Sequence, residues 1–438
     1  MTTKHTTDQG NSTLIIGGGW SGLAAAVSLS QQGHHVHLIE SAKQLGGRAR
    51  NVQWQQSVVD NGQHLMIGAY TQMLAMMKLI GVDIHSAFHR QSIDIELHDT
   101  QHPSLHLSAQ HAWLPWPASL AWNIVKSTGV NGLYKIYKLQ NSIPKVLKNN
   151  DISVSEWLLL TNQPVRLVKQ LWEPLCLATL NTPIKEASAH LLATVLQDSL
   201  GAGKSAADSL IPTCPLGDLF PRYAAKYIEQ NGGTISLQSR AKQLLIDDNK
   251  VTGVQLQDDS ILRDNNIIVA CSPAHSIDLV ADHIAINKPL DYPICTAYLQ
   301  YPVDTRLSKP ILGLTGTVSQ WVFDRSEQTP GLMAIVISGP GQHETMTNSE
   351  LGQLLSQELR QMCPELAATP IDSLIIREKR ATFASTVNIE EQRPNARTDV
   401  SGLWLAGDYV ANGYPATLEG AIRNGEQCAK LILEHTSN

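Results

Sequence analysis

Three glycines near the start of the chain have the spacing of a diphosphate cradle. Gly17-x-Gly19-x-x-Gly22 follows an apolar run at 13–16 and opens an Ala-rich stretch, 23–32, that Gly33 closes. In that context Gly17 permits a tight turn, Gly19 removes the side chain that would hold a diphosphate off the backbone, and Gly22 lets helix and strand pack closely. The helix N-terminus around Trp20 and Ser21 would offer N–H groups and a partial positive charge to the anion. Glu40 comes 23 residues after Gly17, at the end of a second apolar run over 35–39. There a carboxylate accepts from both ribose hydroxyls and disfavours a 2′-phosphate, so NADP is not the expected dinucleotide. Nothing competes with this reading. No HExxH, GxSxG or C-x-x-C pattern is present, and the six scattered cysteines read as reduced, buried thiols with no metal to hold.

Strand, helix and strand over 13–39 make one parallel β-α-β unit. Helical spacing recurs at 65–80 and 150–200, and strands are expected at 234–237, 243–246, 251–256 and 267–270, with a turn at 247–250. A late strand at 402–406 runs into Gly407-Asp408, and a final helix spans about 416–434. First and last strands suit one parallel sheet that the chain leaves and rejoins. The fold class is therefore α/β: a Rossmann-type dinucleotide-binding domain of 12–80, 212–285 and 371–436, interrupted by an α+β substrate-binding domain of 81–211 and 286–370.

Gly46-Gly47-Arg48, just after the acidic residue, resembles the second phosphate clamp of the flavoproteins that include amine oxidases and carotenoid desaturases. An arginine fork can neutralise a diphosphate where glycines let the backbone approach. The closing stretch, Gly407-Asp408 followed by Gly413-Tyr414-Pro415-Ala416-Thr417-Leu418-Glu419-Gly420, resembles the last motif of the same proteins. The resemblance implies FAD. It also implies that Asp408 bonds a ribityl hydroxyl, that Thr417 and Leu418 bring the helix N-terminus to the flavin, and that Ala241 passes the adenine. Asp60-Asn61-Gly62-Gln63-His64 and the stretch 171–183, which contains Trp172-Glu173-Pro174-Leu175, narrow the likeness to the hydroxysqualene dehydroxylases over about 12–434.

That family's reaction would remove an allylic hydroxyl reductively, which calls for a long apolar tunnel, one acid, exclusion of water and reduced FAD. The candidate acids are His64, Glu173, Tyr414 and Asp60. His64 follows the segment, with Gly62 and Gln63, that passes beside the flavin in related proteins, and an ordinary imidazole pKa near 6.5 suits a proton donor. Glu173 lies on an apolar helix and could instead pair with Arg166; Asp60 suits a structural turn; Tyr414 could line the pocket by its ring. Two alternatives stay open: an FAD desaturase or amine oxidase taking hydride from its substrate, and a non-catalytic prenyl-lipid-binding protein. The electron donor is one the sequence does not identify, since no second nucleotide motif is present.

Composition sharpens the partners. The 438 residues carry a net charge of −6 with 42% hydrophobic and 16% charged residues, which excludes disorder and a general nucleic-acid binder. Residues 111–150 depart from that average: five lysines (126, 135, 138, 145 and 148), no acid, and Trp113, Trp116, Trp122, Tyr134 and Tyr137. The rest of the chain carries 28 basic against 39 acidic residues, or −11. Lysines interleaved with amphipathic aromatics suit two readings: contact with anionic lipid, the source of a long-chain isoprenoid substrate, or a solvated lysine face over a core-facing aromatic stripe. The polar start at 1–10 lacks a signal-peptide apolar region, so the expected place is the cytoplasm, at the membrane periphery.

Overall fold

The computed structural model describes residues 11–110, 113–366 and 369–436; the polar start at 1–10 and positions 111–112 of the basic segment lie outside the described residues. The short apolar runs pair as a five-stranded parallel sheet, ordered Thr234–Ser236, His35–Ile39, Ser12–Ile16, Ile267–Val269, Leu403–Leu405. Its three inner and closing strands, Ser12–Ile16, Ile267–Val269 and Leu403–Leu405, are buried almost throughout, whereas Thr234–Ser236 at the edge has one apolar residue. The helix Trp20–Gln31 packs on one side, with the final helix Leu418–Thr436 against it. First and last strands thus share one sheet, with Ile267–Val269 between them.

A second sheet of seven strands builds the other half, ordered Asp372–Phe383, Asp291–Gln300, Leu332–Ser338, Trp321–Asp324, Ile311–Thr315, Asp94–Asp99, Leu105–Ser108. Its alternation separates two environments. Cys295, Ala297, Leu299, Val322, Ile335 and Ile337 form a core with Leu351, Leu355 and Leu359, which lie on the helix Asn348–Met362. Ile294, Thr296, Val336 and Ser338, one residue out of phase, face a cavity on the opposite side. The strand Asp372–Phe383, expected in the third segment of the dinucleotide-binding half, pairs along the length of Asp291–Gln300. Its twelve residues alternate too weakly at the exposed edge to announce a strand.

Between the halves, the helical spacing at 150–200 resolves into several short helices, with a π-helical turn Val168–Trp172 feeding the helix Glu173–Leu180. Residues 116–146 form a long helix broken at Gly129, whose φ is +74°.

Candidate cofactor site and active site

Gly17, Glu40, Ala270 and Gly407 each follow a strand of the parallel sheet and open onto one cavity of about 750 Å³. Open α/β sheets bind ligands at this carboxyl edge. No side chain caps the first turn of the helix that starts at Trp20, which leaves its N–H groups directed at the cavity. Glu40 is held at the loop by Gly18 N–H, 2.7 Å from Oε2, and Ala42 N–H, 2.7 Å from Oε1. Gly46 N–H donates to the Gly18 carbonyl at 2.9 Å, laying the second glycine pair against the first. A Cβ on Gly19 would meet nothing within 4 Å, whereas one on Gly22 would stand 2.1 Å from the Gly17 carbonyl oxygen. Gly19 is therefore the open face of the cradle, and Gly22 works behind it, off the cavity wall. Gly46, Gly47, Trp20, Ser21 and Ala241 line the same space.

Arg48 and Asp408 meet. The guanidinium donates to Asp408 Oδ1 at 2.6 Å and to the Ala381 carbonyl at 2.6 Å. The pair expected to contact diphosphate and ribityl groups separately is thus also a mutual ion pair, which keeps the buried carboxylate compensated. Gly407 N–H donates to Asn424 Oδ1 at 2.8 Å, and Thr417 and Leu418 complete this end of the cavity. Gln63 and Gly62 line the opposite stretch.

Of the four candidate acids, only His64 lies on the cavity wall. Its Nδ1 is 2.7 Å from the Gly62 carbonyl, which only accepts, so Nδ1 carries hydrogen and Nε2 remains for chemistry. Burial lowers its pKa, the Gly62 bond partly offsets that, and the Arg48 charge lowers it further. The imidazole is accordingly neutral at pH 7, which revises the expectation of an ordinary value near 6.5. Glu173 and Tyr414 are not brought to the cavity. Glu173 sits in the first turn of its helix, and Arg166 bonds Gln170 and the Pro103 carbonyl instead of pairing with it. The Tyr414 ring lies under the Arg423 guanidinium at 4.1 Å. Asp60 accepts from Leu216 N–H at 2.7 Å, and burial pushes its pKa up to about 6. Asp60 ends the strand Ser57–Asp60 and ties it to Leu216, so it is a long-range structural link rather than the turn residue expected of it.

Two residues here were given no role by the sequence. Arg393, with a side chain 2% exposed, donates to the carbonyls of Asp408 and Tyr414, both at 2.8 Å, to that of Val410, and to Asn412 Oδ1 at 3.0 Å. It fixes the loop that presents Asp408. Asn181, left-handed at the end of its helix (φ +50°), bonds Thr382 Oγ1 at 2.9 Å and receives Gly339 N–H at 2.6 Å, clipping that helix to the seven-stranded sheet. The stretch 171–183 pointed at Asn181 without giving its role.

The model of the family of flavin-containing amine oxidoreductases matches residues 20–433. The chain belongs to that family. The hydroxysqualene dehydroxylase of Zymomonas mobilis is 26% identical to it over 97% of this chain and 99% of the relative. A 15-cis-phytoene desaturase of Glycine max is 21% identical over 96% of this chain and 79% of the relative. Cyclohexylamine oxidase from Brevibacterium oxydans shares the fold with a TM-score of 0.69 at 18% identity, covering 98% of this chain and 99% of that one. The α/β architecture and the FAD-dependent oxidoreductase class follow, and the non-catalytic reading falls away.

The residues present fit FAD. An open glycine face, a helix N-terminus and Arg48 suit a diphosphate; Glu40 suits a ribose; Gln63 Oε1 and Ser21 Oγ are buried polar atoms without a partner among the described residues. No cluster that could hold a metal ion occurs among the described residues.

Proposed function

We propose that this flavoenzyme reduces hydroxysqualene to squalene, removing an allylic hydroxyl in isoprenoid synthesis. The observation that carries the reading is the likeness to the Zymomonas dehydroxylase along practically the whole of both chains. In that reaction the carbon–oxygen bond breaks, the oxygen leaves as water with one added proton, and the carbon accepts a hydride. Bound FAD in its reduced form supplies that hydride. The chain's own residues do the remainder. Gly19, Arg48, Asp408 and the helix starting at Leu418 hold the cofactor. Ile294, Val336 and Phe323 present an apolar floor that keeps water from the allylic cation. The protonated form of His64 gives its Nε2 hydrogen to the leaving oxygen, while Gly62 orients the ring through Nδ1. Incubation of reduced holoenzyme with hydroxysqualene tests the reading by product analysis: squalene is expected, and unchanged alcohol would sink it. A second reading, an isoprenoid desaturase, is supported by the likeness to phytoene desaturase.

His64→Ala is expected to slow a single turnover by about a hundredfold, the lower range for general acid catalysis. The pH profile gives the sign. Donation needs the imidazolium, and burial holds its pKa below 6.5, so the rate falls as pH rises through a midpoint below that value. Stopped-flow at graded pH checks both, and a flat profile would remove His64 as the donor.

The substrate is proposed to arrive from an anionic bilayer. No helix among the described residues is long and apolar enough to cross a membrane. Trp113 is 90% exposed, and Val130, Tyr134 and Tyr137 are also exposed on the kinked helix. Leu159, Leu160 and Val165 join them, because Gln163 Nε2 donates to the Lys135 carbonyl at 2.8 Å and ties that turn to the helix. Lys126, Lys135 and Lys138 lie on the same helix, and a lysine is worth about 1 kcal/mol at an anionic surface. Flotation with phosphatidylserine-containing liposomes should recover the native protein and lose a Lys126→Glu/Lys135→Glu/Lys138→Glu variant; equal recovery would contradict this surface.

A further inference from the structure

The cavity floor is mostly apolar, with Thr296, Trp321 and Ser338 as its polar side chains. Sheet register sets Thr296 opposite Val336 and Val336 opposite Trp321, so these three side chains share a row on the cavity face. Ile294 and Ser338 make the adjoining row, and Phe323 lies two residues along from Trp321. Thr296 is 1% exposed and Trp321 7%, yet Thr296 Oγ1 and Trp321 Nε1 find no hydrogen-bond partner among the described residues. Buried donors are ordinarily satisfied, and one left unpaired forfeits its hydration without return. Both groups can donate, and the indole N–H can do nothing else. They ask for an acceptor.

Thr296 also has a defined neighbour. A point placed as a Cβ on Gly62 is 3.6 Å from Thr296 Oγ1 and 3.8 Å from His64 Cε1. The orphan hydroxyl and the imidazole ring therefore flank the same spot on the cavity wall. A hydrocarbon in this cavity leaves the Thr296 hydroxyl unpaired, whereas an alcohol brings an oxygen that accepts from it. We infer that Thr296 forms a subsite for the hydroxyl oxygen of an isoprenoid alcohol, selecting the alcohol over the hydrocarbon of the same length and holding its oxygen beside His64. This rests on the dehydroxylase reading and adds the residue that sets its substrate class. It also gives a reason for the floor to be other than wholly apolar.

The test measures binding, so it does not depend on turnover. Oxidised holoenzyme is titrated with hydroxysqualene and, separately, with squalene in the same detergent, following the perturbation of the flavin absorbance. The native protein should bind the alcohol about tenfold more tightly than the hydrocarbon, the size of one satisfied hydrogen bond. Thr296→Val, which keeps the shape and deletes the hydroxyl, should remove most of that ratio by weakening the alcohol alone; Thr296→Ser should retain it. Equal binding of both ligands by the native protein, or a ratio unchanged in Thr296→Val, overturns the subsite. So does a Thr296→Val protein whose main defect is loss of FAD, because the hydroxyl would then serve the cofactor. Selective binding of an alcohol that is never reduced leaves the subsite standing and removes the dehydroxylase reading.

Discussion

Gly22→Val is expected to purify without the yellow colour of flavin. The first atom of the new side chain would stand 2.1 Å from the Gly17 carbonyl oxygen and 3.1 Å from the Ala270 methyl, so the helix must retreat from the strand it packs against. Overpacking of this kind costs about 1–3 kcal/mol. Delivered at the cradle, that is roughly a ten- to hundredfold loss of FAD affinity. The ratio of visible flavin absorbance to protein absorbance measures it, with retained far-UV circular dichroism showing that the rest has folded. Gly19→Ala separates two causes. Its Cβ meets no protein atom within 4 Å, so any loss of FAD there reports blocked ligand approach rather than displaced helix. Full flavin content in Gly22→Val would contradict the cradle.

Arg393→Met should be the most destabilising change outside the cavity. The guanidinium lies over the Phe383 ring at 4.7 Å and answers the carbonyls of Asp408, Val410 and Tyr414 together with Glu390 Oε2 at 2.7 Å. Deleting it leaves those acceptors without their donors. Breaking a buried charged network from one side costs about 3–5 kcal/mol. Urea unfolding in excess FAD gives the stability, and flavin retention gives the effect on the loop that carries Asp408. Arg393→Lys preserves the charge but not the planar fork, so it should recover a minority of the loss. A native unfolding midpoint in Arg393→Met would show that the loop is held by something else.

The parallel sheet was legible because its strands are short apolar runs punctuated by glycine, and because Gly17, Gly19, Gly22 and Glu40 carry a spacing that chemistry demands. The closing motif was equally plain: Gly407, Asp408, Thr417 and Leu418 reach the same cavity as the opening one, some 390 residues away in the chain. The seven-stranded sheet was not legible. Its strand Leu332–Ser338 is buried at every position, so alternation gives no face, and Trp321–Asp324 is only four residues long. Thr296 and Trp321 therefore remained anonymous until register put them in one row. Arg393 escaped for another reason: its importance lies in six acceptors, five supplied by a loop 15 to 21 residues downstream and one by Glu390, which no local pattern encodes. His64 was found, but its protonation was not, since burial and the Arg48 charge act through space.

The most direct measurement is the direction in which reducing equivalents move. The holoenzyme is reduced anaerobically, mixed with hydroxysqualene, and the visible flavin band followed as products are extracted. The dehydroxylase account predicts that the oxidised band returns in step with squalene, mole for mole, and that oxidised enzyme is not bleached by isoprenoid hydrocarbon. A reduced enzyme that hydroxysqualene leaves colourless, beside an oxidised enzyme that phytoene bleaches, would contradict it and establish a desaturase.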